Sequence, residues 1–199
     1  MSVWVASVAL LVFTGLLAYL TLPIARVDGS WIFAALFAAL SLSYPTMGAL
    51  IVSRQPNNPV GWIFCAGGLL IIGTGCATAY SNYSILIRPE PLPGTRYMAW
   101  FADSGIVFYG LFLISALLLL LYPDGRLVSR GWRVVAWAVM IGCATWAFAW
   151  TTEPGPLSYP YRSIDNPFGV EGSARAVLGE LDRISILLAF FGWVAAGVS

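Results

Sequence analysis

The sequence predicts an all-α integral membrane protein, a single bundle of about six transmembrane helices. Three observations lead there. Hydrophobic residues make up 59% of the 199-residue chain and charged residues 10%, against roughly 25% charged in a soluble domain. Mean hydropathy is +0.82. The apolar residues also fall in long runs with most charges between them, as expected where ionisable groups avoid hydrocarbon.

The first run covers residues 3–23. It has no basic leading segment and is too long for an ordinary signal-peptide core, so it reads as a first membrane helix that is kept. The second, 31–52, contains Pro45, which removes a backbone donor and predicts a kink. The third covers 60–80, the fourth 98–121 and the fifth 132–150. In lipid, runs of this length must be helical, because every backbone polar group needs an internal partner. The sixth, 184–199, has 16 residues and would span about 24 Å against about 30 Å of hydrocarbon. It is expected to be incomplete, and the chain a fragment of something longer. Segments 81–97 and 151–183 are the longest connections, placed on the outer side as a lid or a recognition surface.

Trp4, Trp31, Trp62, Trp100 and Trp132 each open a run, and Trp150 closes the fifth. Indole rings favour the headgroup level, so these are expected interfacial anchors. Small residues one turn apart predict close helix contacts: Gly73/Ala77 and Gly75/Ala79, Ala138/Gly142, and Gly192/Ala196. Cys65, Cys76 and Cys143 lie inside apolar runs and read as small apolar filler. All ten basic residues are Arg and the net charge is +1, so no broad basic surface invites nucleic acid. Arg54, Arg126, Arg130 and Arg133 fall on the side shared with both termini and six Arg on the other. A raw count therefore leaves orientation open, while density favours cytoplasmic termini.

Three connections have distinctive sequences. In the first, Arg54-Gln55-Pro56-Asn57-Asn58-Pro59-Val60-Gly61-Trp62, Asn58 is placed as an N-cap with Pro59 at the first helical position and Trp62 as an anchor. The second contains Pro123-Asp124-Gly125-Arg126, followed by Trp132-Arg133. Pro-Asp-Gly is a turn signal, and the arginines suit anionic headgroups. A nucleotide or phosphate site is a poor rival to that turn, because no Gly-rich strand-to-helix loop is present. The third contains Glu153-Pro154-Gly155-Pro156-Leu157 and Asp165-Asn166-Pro167-Phe168-Gly169-Val170. After it, Ser173 is expected to cap a short helix over 174–183.

In this order and spacing, the three motifs resemble the multi-pass N-terminal region of certain bacterial two-component sensor histidine kinases. The resemblance covers the chain from about Gly48 onward, with the first run agreeing in kind only. It implies a bacterial plasma-membrane protein with both ends in the cytoplasm, its last span leading into a dimerising, ATP-using kinase. The implied partners are the lipid bilayer, a second copy through that cytoplasmic part, and a response regulator only by way of the kinase. It implies no cofactor, and no binding residue is carried over. The chain itself has no His, hence no phosphoacceptor, and no ATP-binding segment, so no kinase activity is expected of it.

Two other classes compete. A free-standing small membrane protein, such as a transporter, channel or assembly partner, would place ionisable groups at mid-bilayer. The one acidic candidate is Asp103, five residues into the fourth run, where a hydrated interfacial carboxylate is the simpler reading. Liposome flux would discriminate. A membrane enzyme is disfavoured, because without His the usual general base and metal ligand are missing.

Overall fold

The computed structural model describes residues 2–21, 30–122, 124–127 and 129–198. Its helices are α1 (Ser2–Thr21), α2 (Ser30–Arg54), α3 (Pro59–Leu86), α4 (Thr95–Asp103), α5 (Ile106–Leu121), α6 (Trp132–Thr151) and α7 (Ser173–Ala196). Among the described residues there is no strand, and an isolated bridge joins Pro156 to Asp165. Four helices there are long and apolar enough to cross a membrane, within α1, α2, α3 and α6, and the bent α4–α5 pair makes a fifth if taken as one span. The molecule is an all-α membrane bundle.

Its elements depart from the apolar runs in three places. α3 continues past Tyr80 to Leu86, because Ser81 and Ser84 are buried by packing rather than released to water. The Ser84 hydroxyl accepts from Leu92 N at 2.8 Å and meets Thr95 Oγ1 at 2.5 Å. The fourth run is broken: Gly105, in the left-handed region at φ +66, separates α4 from α5, which meet at a 46° bend. The helix expected over 174–183 and the last apolar run are one helix, α7, with Gly172 rather than Ser173 as its N-cap. Glu180, Asp182 and Arg183 interrupt the apolar run along α7. α2 is helical straight through Pro45.

α3 is the central helix, touching α1, α2, α4 and α5, while α6 packs on α5 and α7. The apolar window of α3 is 56% buried and that of α1 only 11%, so α1 turns most of its surface toward lipid. Glycines set the tightest seams. A Cβ on Gly68 would lie 2.5 Å from Pro45 Cδ, and one on Gly48 2.7 Å from Cys65 N, so α2 meets α3 backbone to backbone. On α6, a Cβ on Gly142 would lie 2.8 Å from Ala189 N of α7. Gly192 faces Val139 in the same seam, whereas Gly73 has only Phe101 within reach at 3.8 Å. Several hydroxyls inside the helices donate to carbonyls one turn back, as Ser7 does to Val3, Thr14 to Leu10 and Thr74 to Leu70, while Ser41 and Ser81 Oγ are buried without a hydrogen-bond partner among the described residues. The cysteines are free thiols, Cys65 and Cys143 buried.

Candidate functional site

The chain order brings the distinctive segments to two opposite ends of the bundle. At one end lie the α2–α3 turn, the α5–α6 connection, the start of α1 and the end of α7. At the other lie the α3–α4 segment and the long α6–α7 loop.

At the first end, Asn58 caps α3: its Oδ1 accepts from Val60 N at 3.0 Å, and its Nδ2 donates to Gln55 Oε1 at 2.9 Å. Pro59 follows at the first helical position. Gly61 is buried where a Cβ would meet Ile51 and Val52 of α2, and Trp62 donates through Nε1 to Pro56 O at 2.9 Å. Gly125 has φ +72 and donates to Leu121 O at 2.7 Å. A Cβ there would lie 2.6 Å from both Asn58 Oδ1 and Pro59 Cδ, so the second motif is seated directly on the first. Leu127 and Trp132 then pack beside Leu120, Ala136 and Ala196, the last residue of α7. Arg54, Asp124, Arg126 and Arg133 are exposed around this end, where arginines can meet anionic headgroups. A cleft of about 410 Å³ between Met47, Arg54, Gln55, Asn58 and Tyr122 opens beside the cap. Pro123, singled out in the same motif, lies outside the described residues.

At the second end, the α6–α7 loop folds onto α3 and α4. Asn166 is its hub. Its Nδ2 donates to Thr151 O at 3.0 Å and Glu153 O at 2.7 Å, and its Oδ1 accepts from Phe168 N at 2.9 Å. Pro154 lies against Gly169, where a Cβ would come within 2.9 Å of Pro154 Cα. Gly155 has φ +115 and accepts from Asn166 N, and Pro167 is half-buried beside them. Phe168 meets Trp100 edge-on at 4.7 Å between centroids. Trp100 Nε1 donates to Thr151 O at 2.9 Å. Leu157 and Tyr161 bury themselves against Ala99, with Ile85 and Trp100 beside them. Tyr161 donates to Asn82 Oδ1 at 3.0 Å, and burial, reinforced by the Asp103 charge, pushes its hydroxyl up to about 12. Arg175 closes the loop: Nη1 donates to Ala149 O at 2.9 Å near the end of α6, and Nη2 pairs with Glu153 at 3.1 Å.

Asp103 is the last residue of α4, at the break, and its Oδ2 accepts from Ser158 N at 2.9 Å. It ties the loop down. Of the tryptophans expected as anchors, Trp4 donates to Thr46 Oγ1 at 3.1 Å, Trp62 and Trp100 donate as above, and Trp150 is exposed; the side chain of Trp31 lies outside the described residues. Arg175, Tyr161 and Asn82 hold the α6–α7 loop without any motif to announce them. Asp182 was overlooked as well. Its signal is helical spacing, since Asp182, Ile186 and Phe190 stand one turn apart on α7. Among the described residues no group of three or more His, Cys, Asp or Glu is placed to hold a metal ion. Searches with family models, curated proteins and solved structures return no match to the chain.

Proposed function

We propose that this chain is the membrane-embedded sensory or anchoring module of a bacterial two-component histidine kinase, lying in the plasma membrane with both ends toward the cytoplasm. The observation that carries the reading is the seating of Gly125 on Asn58 and Pro59, beside Leu127, Trp132 and the end of α7. Two of the three motifs that suggest the family thus form one junction where an output helix would leave the bundle. At the far end, α7 is held by Arg175 to Glu153 and to the end of α6. A 24-residue helix spans about 36 Å, long enough to link the outer loop to the inner junction. A stimulus that shifts the loop then moves α7 along its glycine seam with α6, which is the kind of helix displacement that signalling bundles use.

The first experiment is to read the source DNA downstream of the codon for Ser199. An open frame leading to a cytoplasmic region with a phosphoacceptor His supports the reading. A stop codon there, combined with ion or solute flux in liposomes, replaces it with a free-standing membrane protein. Where the frame continues, deleting 152–172 from the full-length kinase should abolish control of autophosphorylation. Unchanged control would remove the outer loop from the mechanism.

A further inference from the structure

A groove between α5, α6 and α7 holds a carboxylate that nothing described so far uses. Its upper part, about 490 Å³, is lined by Phe108, Tyr109, Phe112, Trp146 and Trp150, with Asp182 among them. It continues past Phe112 and Trp146 into an apolar cleft of about 350 Å³ bounded by Leu187, Phe190 and Phe191. Phe108, Trp150, Phe190 and Phe191 are exposed at its rim. Trp146 meets Tyr109 edge-on at 4.8 Å and Phe112 at 6.2 Å between centroids, which fixes the rings around the opening.

Asp182 Oδ1 is buried and has no hydrogen-bond partner among the described residues. The cations of α7 are engaged elsewhere, Arg183 with Glu180 at 3.4 Å and Arg175 with Glu153 at 3.1 Å. A buried carboxylate oxygen without a donor is costly, and such a residue calls for a counter-charge. Besides Asp182 the lining side chains are aromatic or aliphatic, and Tyr109 adds a single hydroxyl oxygen, too few oxygen ligands for a hard metal ion. That suits an organic cation and not a metal ion.

We propose that this groove binds an amphiphilic organic cation, a quaternary ammonium or protonated amine bearing one alkyl chain, with its head at Asp182 among the aromatic rings and its tail along Phe112, Leu187 and Phe190. Charge complementarity selects the head, and the apolar lower cleft accepts the tail. Occupancy can be read without reference to signalling, so this site stands or falls independently of the kinase reading.

The test uses the whole chain in neutral maltoside micelles and an alkyltrimethylammonium probe carrying a photoreactive group on its chain, with labelled peptides identified by mass spectrometry. Saturable labelling around Phe112 and Phe190 is expected. Unlabelled alkyltrimethylammonium should displace it, and alkyl sulfate of equal length should not. Asp182→Asn should weaken labelling by about tenfold, the loss of one charge-assisted contact, and Asp182→Glu should retain most of it. Equal displacement by alkylphosphocholine would mean that the groove holds ordinary lipid, and would overturn the proposal. Non-saturable labelling, or a folded Asp182→Asn protein labelled like the wild type, would overturn it too. Should Asp182→Asn not fold, the headgroup competition on the wild type decides alone.

Discussion

Replacing Gly125 by Ala tests whether the first two motifs act as one structure. Two costs arise. At φ +72 an L-residue pays roughly 1–2 kcal/mol for the left-handed conformation. The new Cβ would also start 2.6 Å from Asn58 Oδ1 and 2.6 Å from Pro59 Cδ. Relief requires the turn to lift or Asn58 to rotate away from Val60 N, and a lost N-cap costs about 1 kcal/mol. Gly125→Ala should therefore destabilise the bundle by about 2–3 kcal/mol. The assay is reversible unfolding in mixed micelles followed by circular dichroism, on the wild type, Gly125→Ala, Asn58→Ala and the double variant. Once Gly125→Ala has disturbed the cap, removing Asn58 costs less, so the double variant should fall short of the sum by about 1 kcal/mol. Additivity within about 0.5 kcal/mol would refute the contact, and an unchanged Gly125→Ala protein would refute the strain argument as well.

Other outcomes follow from the same geometry. Gly142→Ala drives a methyl to 2.8 Å from Ala189 N and 3.1 Å from Ser185 O; these are backbone atoms, so α6 and α7 must separate, at about 1–3 kcal/mol, read as a lower unfolding midpoint. Tyr161 has its ionisation raised from 10.0 to about 12. Its contribution is therefore complete below pH 10 and lost as the pH climbs toward 12, and Tyr161→Phe should remove this alkaline limb from the proteolysis rate of the outer loop. Arg175→Ala breaks an ion pair and a helix-end contact, costing about 1 kcal/mol and raising amide exchange over 152–156; unchanged exchange would assign that end of the loop to other contacts. Asp103→Ala removes the acceptor of Ser158 N and should speed exchange at that amide; loss of a measurable ion flux instead would point to transport.

Much of the architecture could be read from residue order alone, because apolar runs in lipid leave the backbone no alternative to helix. The cap at Asn58 was legible for a similar reason, since one side chain and the following proline determine it locally. What resisted reading depends on partners distant in sequence. Ser84 looks like the end of a helix until Leu92 and Thr95 meet its hydroxyl. The tight seat of the Pro45 ring depends on Gly68 of α3, which leaves room for it. Asp182 looks like part of a charged connection until α7 proves continuous and sets it one turn from Ile186. The indole donor of Trp100 goes to Thr151 O, 51 residues away, a contact that its place at the start of an apolar run does not announce. Each of these features is set by long-range contacts.

The uneven burial of the helices dictates how the molecule tolerates change. On α1, Val12, Leu16 and Tyr19 are more than half exposed, and any greasy side chain serves as well there as another. A saturation library over that face would come back nearly flat. One over Gly48, Gly68 and Gly142 would return almost nothing but the starting residue. The information that specifies this bundle is stored along its seams and at its turns, and the lipid-facing bulk of the chain is free to drift.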